Sequence, residues 1–327
     1  MTGPAGGPEL AVGPTAGLPR VAVVGTGVIG AAWAALFLSR GYPVRAHDPA
    51  PGARHRLTAQ IAAAWPALAA LGAGTEPPSL LTWSDDIAGA VTDADFVQES
   101  GPETLDLKQA VTAEIDAHAP AAAVIASSSS GLRPSQIQAA CARHPERVLI
   151  GHPFHPAHLI PLVEVVGGER TSAAAVAAAM AFYTAAGKRP IQVRQELPGH
   201  VVNRLQAALW KEAYSLVQRG VVTVAEVDAA ITSGPGLRWA VVGPFAGQHL
   251  SGGDGGIAHT LEHLGPPMAA WWAELGQPSW TPDLVERVVG QMAQEMTGTT
   301  TQRLAAARDR LVLGLLAAKS AEPDLPG

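Results

Sequence analysis

Residues 20–48 read RVAVVGTGVIGAAWAALFLSRGYPVRAHD: an apolar run, a glycine turn, an apolar-rich helix closed by Gly41, and a second apolar run. Strand, turn, helix and strand within about 30 residues make a βαβ unit. The crossover helix is what lets two strands lie parallel, so this stretch commits the chain to an α/β beginning. The alternation continues. Residues 94–100, 123–130, 147–153, 161–166 and 189–195 read as strands, and 104–119, 134–144 and 172–187 as helices. The predicted architecture is a doubly wound α/β domain over residues 18–196.

After Pro198-Gly199 the period changes. Residues 201–220 form one long amphipathic helix ending in Gly220. Thr223 with Glu226 has the capping-box spacing for a helix over 223–234. Later segments, TPDLVERVVGQMAQEMTG and TTQRLAAARDRLVLGLLAAKS, are also helical in pattern. The second domain, 197–327, is therefore expected to be all-helical, and no internal repeat is visible.

In the glycine turn, Gly25, Gly27 and Gly30 have the G-x-G-x-x-G spacing. The first permits a tight turn, the second lets backbone approach a pyrophosphate, and the third lets helix and strand pack closely. Val28 and Ile29 open the helix, whose free N–H groups and partial positive charge favour phosphates. Glycines also mark ordinary turns, but here Asp48 ends the next strand 23 residues after Gly25. A carboxylate there accepts from ribose hydroxyls. These residues point to a bound dinucleotide. Asp48 also repels a 2′-phosphate, so NAD is the expected cofactor, with Arg54 and Arg56 as the contrary feature.

Composition narrows the partners. The 327 residues suit about two domains, and 47% apolar with 15% charged residues describes a globular chain. Net charge is −6 with no basic run, so neither nucleic acid nor an anionic membrane is expected. The single cysteine, Cys141, excludes an internal disulfide framework and a multi-thiolate metal site. Residues 1–17, rich in Gly, Pro and Ala, read as a disordered extension without the features of a secretory signal. No uncharged apolar stretch of about 18 residues reads as a membrane span, and a cytoplasmic protein is expected.

The glycine loop, DFVQESGPETLDLK, SSSSGLRPS, GHPFHP…PLVEVV and PGHVVNRL stand in an order and spacing that resembles the 3-hydroxyacyl-CoA dehydrogenase superfamily. The resemblance covers nearly the whole chain after residue 17. FVQES and GPGLRWA…G…HLSGGDGG carry a finer similarity to its free-acid branch, that of L-gulonate 3-dehydrogenase (with lambda-crystallin) and carnitine 3-dehydrogenase. Actinorhodin-type polyketide ketoreductases share a similar C-terminal pattern.

The resemblance implies a Rossmann-type N-terminal domain, a helical substrate and dimerisation domain, and hydride transfer between NAD and a small 3-hydroxy or 3-oxo acid. It makes His152 the general base and Glu164 its partner. Imidazole, with an ordinary pKa of about 6.5, suits that task, and a carboxylate on the far ring nitrogen fixes its tautomer. Such a pair must come from adjacent strands. Ser130 matches the serine that hydrogen-bonds the reacting oxygen, a placement the serine run leaves open by one position. Asn203 matches an asparagine that helps hold the same oxygen. Glu99 and Lys108 match positions on the nicotinamide side of the cofactor, where a helix cap or solvated charge is the plain alternative.

His152, His155 and His158 lie within seven residues, but Pro153 and Pro156 deny the stretch a helix, and no metal is expected. His155 replaces the usual asparagine and His200 a common aromatic residue, both near the expected pocket.

For the substrate, CoA phosphates call for Lys and Arg clusters. The stretch after strand two, where acyl-CoA enzymes carry a lysine-rich helical arm, holds only Arg54 and Arg56. CoA is therefore disfavoured. Arg238 is the candidate partner of a substrate carboxylate. Trp239, with Trp271, Trp272 and Trp280, offers walls for a quaternary ammonium or a bulky polyketide. The alternatives are a 3-hydroxyacyl-CoA dehydrogenase, a polyketide ketoreductase, or a catalytically idle dinucleotide-binding protein.

Overall fold

A computed structural model describes residues 17–325; the expected extension lies outside them except for Gly17. The chain divides into two compact units, one running to Asn203 and one starting at Arg204.

The first unit is built on strands β1 (Val21–Val24), β2 (Val44–His47), β3 (Leu81–Trp83), β4 (Phe96–Glu99), β5 (Val124–Ser127), β6 (Val148–Pro153), β7 (Leu162–Gly167) and β8 (Arg189–Val193). They form one sheet in the order β3-β2-β1-β4-β5-β6-β7-β8. The order reverses at β1, with β2 on one side and β4 on the other, the switch point where such sheets bind ligands. Pairing is parallel from β3 across to β6. It turns antiparallel at β6–β7 and is parallel again at β7–β8.

Alternation along the central strands divides the core. Val21, Val23, Phe96, Val124 and Ala126 join one apolar cluster, while Ala22, Val24, Val97 and Ile125 join another. Successive side chains point to opposite faces, so both faces are covered and β1, β4 and β5 are buried throughout. On one face the helix Val28–Ser39 supplies Trp33 and Phe37, whose rings stack 5.3 Å apart. The expected Rossmann-type sheet with a helical C-terminal part is the observed fold.

Differences lie in particular segments. The stretch after β2 contains a full helix, Ala53–Ala70, burying Leu57, Ile61, Trp65 and Leu68 along one side. The short helix Ile87–Val91 follows β3, capped by the Asp86 carboxylate accepting from the Gly89 amide at 2.6 Å. The helix expected over 134–144 stops at Gln138. The Asp116 carboxylate draws the Arg143 and His144 amides to itself at 2.8 and 3.0 Å, which competes with helical bonding, and Pro145 follows.

The second unit is helical. Thr223 and Glu226 close the expected capping box at the start of Val224–Thr232. Helices Pro282–Glu295 and Thr301–Ser320 occupy the other expected segments. Few of its side chains are buried, and Phe245, Trp271, Trp272, Trp280 and Leu311 are largely exposed.

Asp116, on helix Leu105–His118, meets Arg147 at 3.0 Å, both nearly fully buried. The pair anchors the residue that leads into β6. Removing one partner of such a pair leaves a buried charge uncompensated. Arg147→Ala should lower the unfolding free energy by about 3–5 kcal/mol, read as a lower urea midpoint.

Candidate active site

The glycine loop has the shape a pyrophosphate needs. Gly25 takes φ +87°, and a Cβ there would meet Ser100 and Gly101 backbone at 2.7–2.8 Å. A Cβ on Gly30 would run into the Gly25 carbonyl. At Gly27 a Cβ would meet nothing within 4 Å, so the approach to the helix N-terminus is open. That terminus has no side-chain cap, which leaves the Val28 and Ile29 amides directed at any bound anion.

A cleft of about 840 Å³ opens here, lined among others by Gly25, Gly27, Val28, Ile29, Asp48 and Ser100. Its residues come from the ends of β1, β2 and β4, the switch point of the sheet. Asp48 is fixed by the Thr26 amide at 2.7 Å and the Ala50 amide at 2.9 Å. Asp85, Asp86 and Glu114 add further acid to the lining. The cradle and its charge fit a dinucleotide without a 2′-phosphate.

Glu99 and Lys108 are neither cap nor solvated charge. Lys108 Nζ donates to both Glu99 oxygens at 3.0 and 2.9 Å, and both side chains are about 1% exposed. Lys108 also donates to the Gly101 carbonyl at 3.0 Å. The pair fixes the backbone at the end of β4, directly behind the cleft.

Beyond β5 the serine run forms a loop held by Glu103, a residue that sequence reasoning did not single out. One carboxylate oxygen accepts from Ser129 Oγ at 2.6 Å and from the amides of Ser130 and Gly131 at 3.0 and 2.8 Å. Burial works against its charge, but the Ser129 hydroxyl, the Gly131 amide and Lys108 outweigh it and hold the carboxyl below the usual value. The sequence signal for this role was its place between Glu99 and Lys108, in the stretch ESGPETLDLK. Asn203 Nδ2 donates to the Ser130 carbonyl at 3.0 Å, so Ser130 is pinned through both its N–H and its C=O.

Where the sheet turns antiparallel, His152 on β6 faces Glu164 on β7 in register. Directly opposed residues on such strands lie within side-chain reach, and His152 Nδ1 donates to Glu164 Oε2 at 2.9 Å. The ring's Nε2 is thereby left as the basic nitrogen. Glu164 Oε1 accepts from the Val201 and Val202 amides at 2.8 and 2.9 Å. Burial raises the cost of the Glu164 charge, yet the bonds from His152 and those two amides keep the carboxyl below its ordinary value. Phe154 and His200 flank the His152 ring at centroid distances of 4.7 and 5.4 Å.

His155 is exposed beyond β6, while His152 is buried. Among the described residues no three His, Cys, Asp or Glu side chains are grouped to hold a metal ion. Arg238 and Trp239 stand exposed on the short helix Pro235–Trp239 of the second unit. Among the described residues no helix is long and apolar enough to cross a membrane.

Comparison with known proteins places the chain among relatives. Residues 20–197 match the NAD binding domain of 3-hydroxyacyl-CoA dehydrogenase, and residues 199–302 match its C-terminal domain. The L-carnitine dehydrogenase of Streptomyces griseus is 52% identical over 305 residues, covering 93% of this chain and 91% of its own. That of Pseudomonas aeruginosa is 47% identical, covering 91% and 92%. Among solved structures, 5-formyl-3-hydroxy-2-methylpyridine 4-carboxylic acid 5-dehydrogenase, an NAD+-dependent dismutase, superposes with a TM-score of 0.80 at 29% identity, covering 93% of this chain and 99% of that one.

Because the folded Glu164 carboxyl titrates below its ordinary value of 4.5, the stability it lends is complete above that value and is lost as pH falls through the lowered one. Glu164→Gln should flatten the acid limb of the stability curve relative to wild type. Chemical denaturation at stepped pH reads the difference.

Proposed function

The chain belongs to the 3-hydroxyacyl-CoA dehydrogenase family, and from that premise we propose that it oxidises a free 3-hydroxy acid with NAD, L-carnitine being the substrate. The observation that carries the chemistry is the 2.9 Å bond between His152 and Glu164. Oxidation of a secondary alcohol requires the hydroxyl proton to leave as hydride departs from the same carbon. NAD, when bound, supplies the hydride acceptor.

His152 takes the proton at Nε2, and Glu164 stabilises the resulting imidazolium while fixing the ring's orientation. Ser130 and Asn203 hold the reacting oxygen, with Glu103 keeping the serine loop in place. In the reducing direction the same imidazolium returns the proton to the oxo group. On the cofactor side, Gly25, Gly27 and Gly30 with the Val28 and Ile29 amides take the pyrophosphate, and Asp48 takes the ribose. Glu99 and Lys108 act from behind, through the strand end they brace.

Identity near one half to L-carnitine dehydrogenases over almost their full length supports the substrate. Charge supports it as well. The helix Ala53–Ala70 carries Arg54 and Arg56 and no lysine, a poor partner for the phosphates of CoA. Our reading sets the enzyme in the cytoplasm as a homodimer, joined through the second unit. Its exposed Phe245, Trp271, Trp272 and Leu311 are the apolar side chains that such an interface would bury.

L-Carnitine with NAD should give NADH absorbance, with NADP giving little and acetoacetyl-CoA with NADH showing no turnover. Activity on the CoA thioester alone would reassign the substrate, and silence across a panel of 3-hydroxy acids would favour an idle dinucleotide-binding protein. His152→Ala should lower kcat by about 10²–10⁴-fold while NADH binding, followed by fluorescence, is unchanged.

A further inference from the structure

His200 carries two features that a packing residue would avoid. Its φ is +49°, the left-handed region, and among the described residues it is the non-glycine residue found there. It is also fully buried, and its Nδ1 has no hydrogen-bond partner among the described residues. Backbone strain and an unpaired buried acceptor are both unfavourable. A phenylalanine would fill the space without the second of these.

The surroundings explain the choice of histidine. Nε2 lies 3.1 Å from the Ser129 carbonyl, which can only accept, so Nε2 carries the proton. Ser129 is the residue whose hydroxyl binds Glu103 and which precedes Ser130. The left-handed turn at His200 immediately precedes the two amides that converge on Glu164 Oε1. The His200 ring itself lies 5.4 Å from that of His152. One residue thus touches the serine loop and the base, and its backbone turn leads into the two amides that hold the base's carboxylate.

We propose that His200 is a positioning residue of the reaction: its ring pins the serine loop, and its backbone turn aims two amides at Glu164. It acts through Ser129 and Glu164 and does not itself exchange a proton with substrate. Burial keeps the ring neutral by lowering its pKa, an effect reinforced by His152 and opposed by the Ser129 bond, Glu164 and Glu103. A neutral ring suits the role, because a second cation beside His152 would oppose its protonation.

The inference rests on the His152–Glu164 reading above, so the variants are assayed beside His152→Ala. His200→Phe keeps the bulk and loses the donor. It should lower kcat about 10–100-fold, with the NADH dissociation constant and thermal midpoint near wild type. His200→Gln carries an amide N–H at the reach of the imidazole Nε2 and can still donate to the Ser129 carbonyl, so it should recover most of kcat. Wild-type kcat in His200→Phe overturns the proposal, as does a loss of NADH binding and thermal stability in step with kcat. If His200→Phe does not fold, His200→Asn decides, since it tolerates the left-handed turn but its shorter amide falls short of Ser129: lowered kcat with intact NADH binding supports the role, and wild-type kcat overturns it. An active His152→Ala would instead remove the underlying base.

Discussion

The hydrogen bond from His152 to Glu164 depends on a reversal of strand direction. β6 is the last strand of the parallel series, and β7 returns against it, so the two residues face each other in register. A buried carboxylate is costly unless its oxygens are satisfied. Here one oxygen takes the imidazole and the other takes two backbone amides from the segment leaving β8. The same charge that orients the ring therefore also fixes where the chain turns into its long helix. Ring orientation and the path of the segment leaving β8 are set by one side chain.

The dinucleotide cleft and the basic nitrogen are separate constructions on one sheet. The cleft lies at the β1–β4 switch point, and His152 lies two strands away on β6. Between them runs the serine loop after β5, tied to Glu103 on one side and to Asn203 and His200 on the other. Beneath it, Tyr183 donates to Gln98 at 2.6 Å, and Gln98 donates to Ser128 at 2.9 Å. The first bond ties the helix Ala173–Ala185 to β4, and the second ties β4 to the serine loop just past β5. Rigidity of that kind suits the proposed reaction, in which hydride leaves the carbon and the proton leaves the oxygen attached to it.

Much of this was legible because it is local. Glycine spacing, the carboxylate after β2 and the Thr223 capping box are short-range patterns, and each is present as expected. The pairing of His152 with Glu164 was legible through resemblance, while the antiparallel direction of β7 was not, because a strand's direction leaves no mark on its own residues. Glu103 escaped notice because its partners are mostly backbone amides, which have no letter in a sequence. Asp116 shortened the helix after Pro134 from 27 residues away, a contact that helix periodicity does not register. The helix Ala53–Ala70 has its signal in the apolar spacing of Leu57, Ile61, Trp65 and Leu68. Glu99 and Lys108 resisted reading because a buried ion pair and a solvated one are spelled alike.

The most direct test of the central pair is nitrogen NMR on protein labelled at histidine, with His152 assigned by its substitution. In mildly alkaline buffer the expected spectrum shows His152 protonated at Nδ1, exchange-protected, with Nε2 bare, and Glu164→Gln abolishes that protected signal. An Nε2–H tautomer in the wild-type enzyme, or a spectrum that Glu164→Gln leaves unchanged, would contradict it.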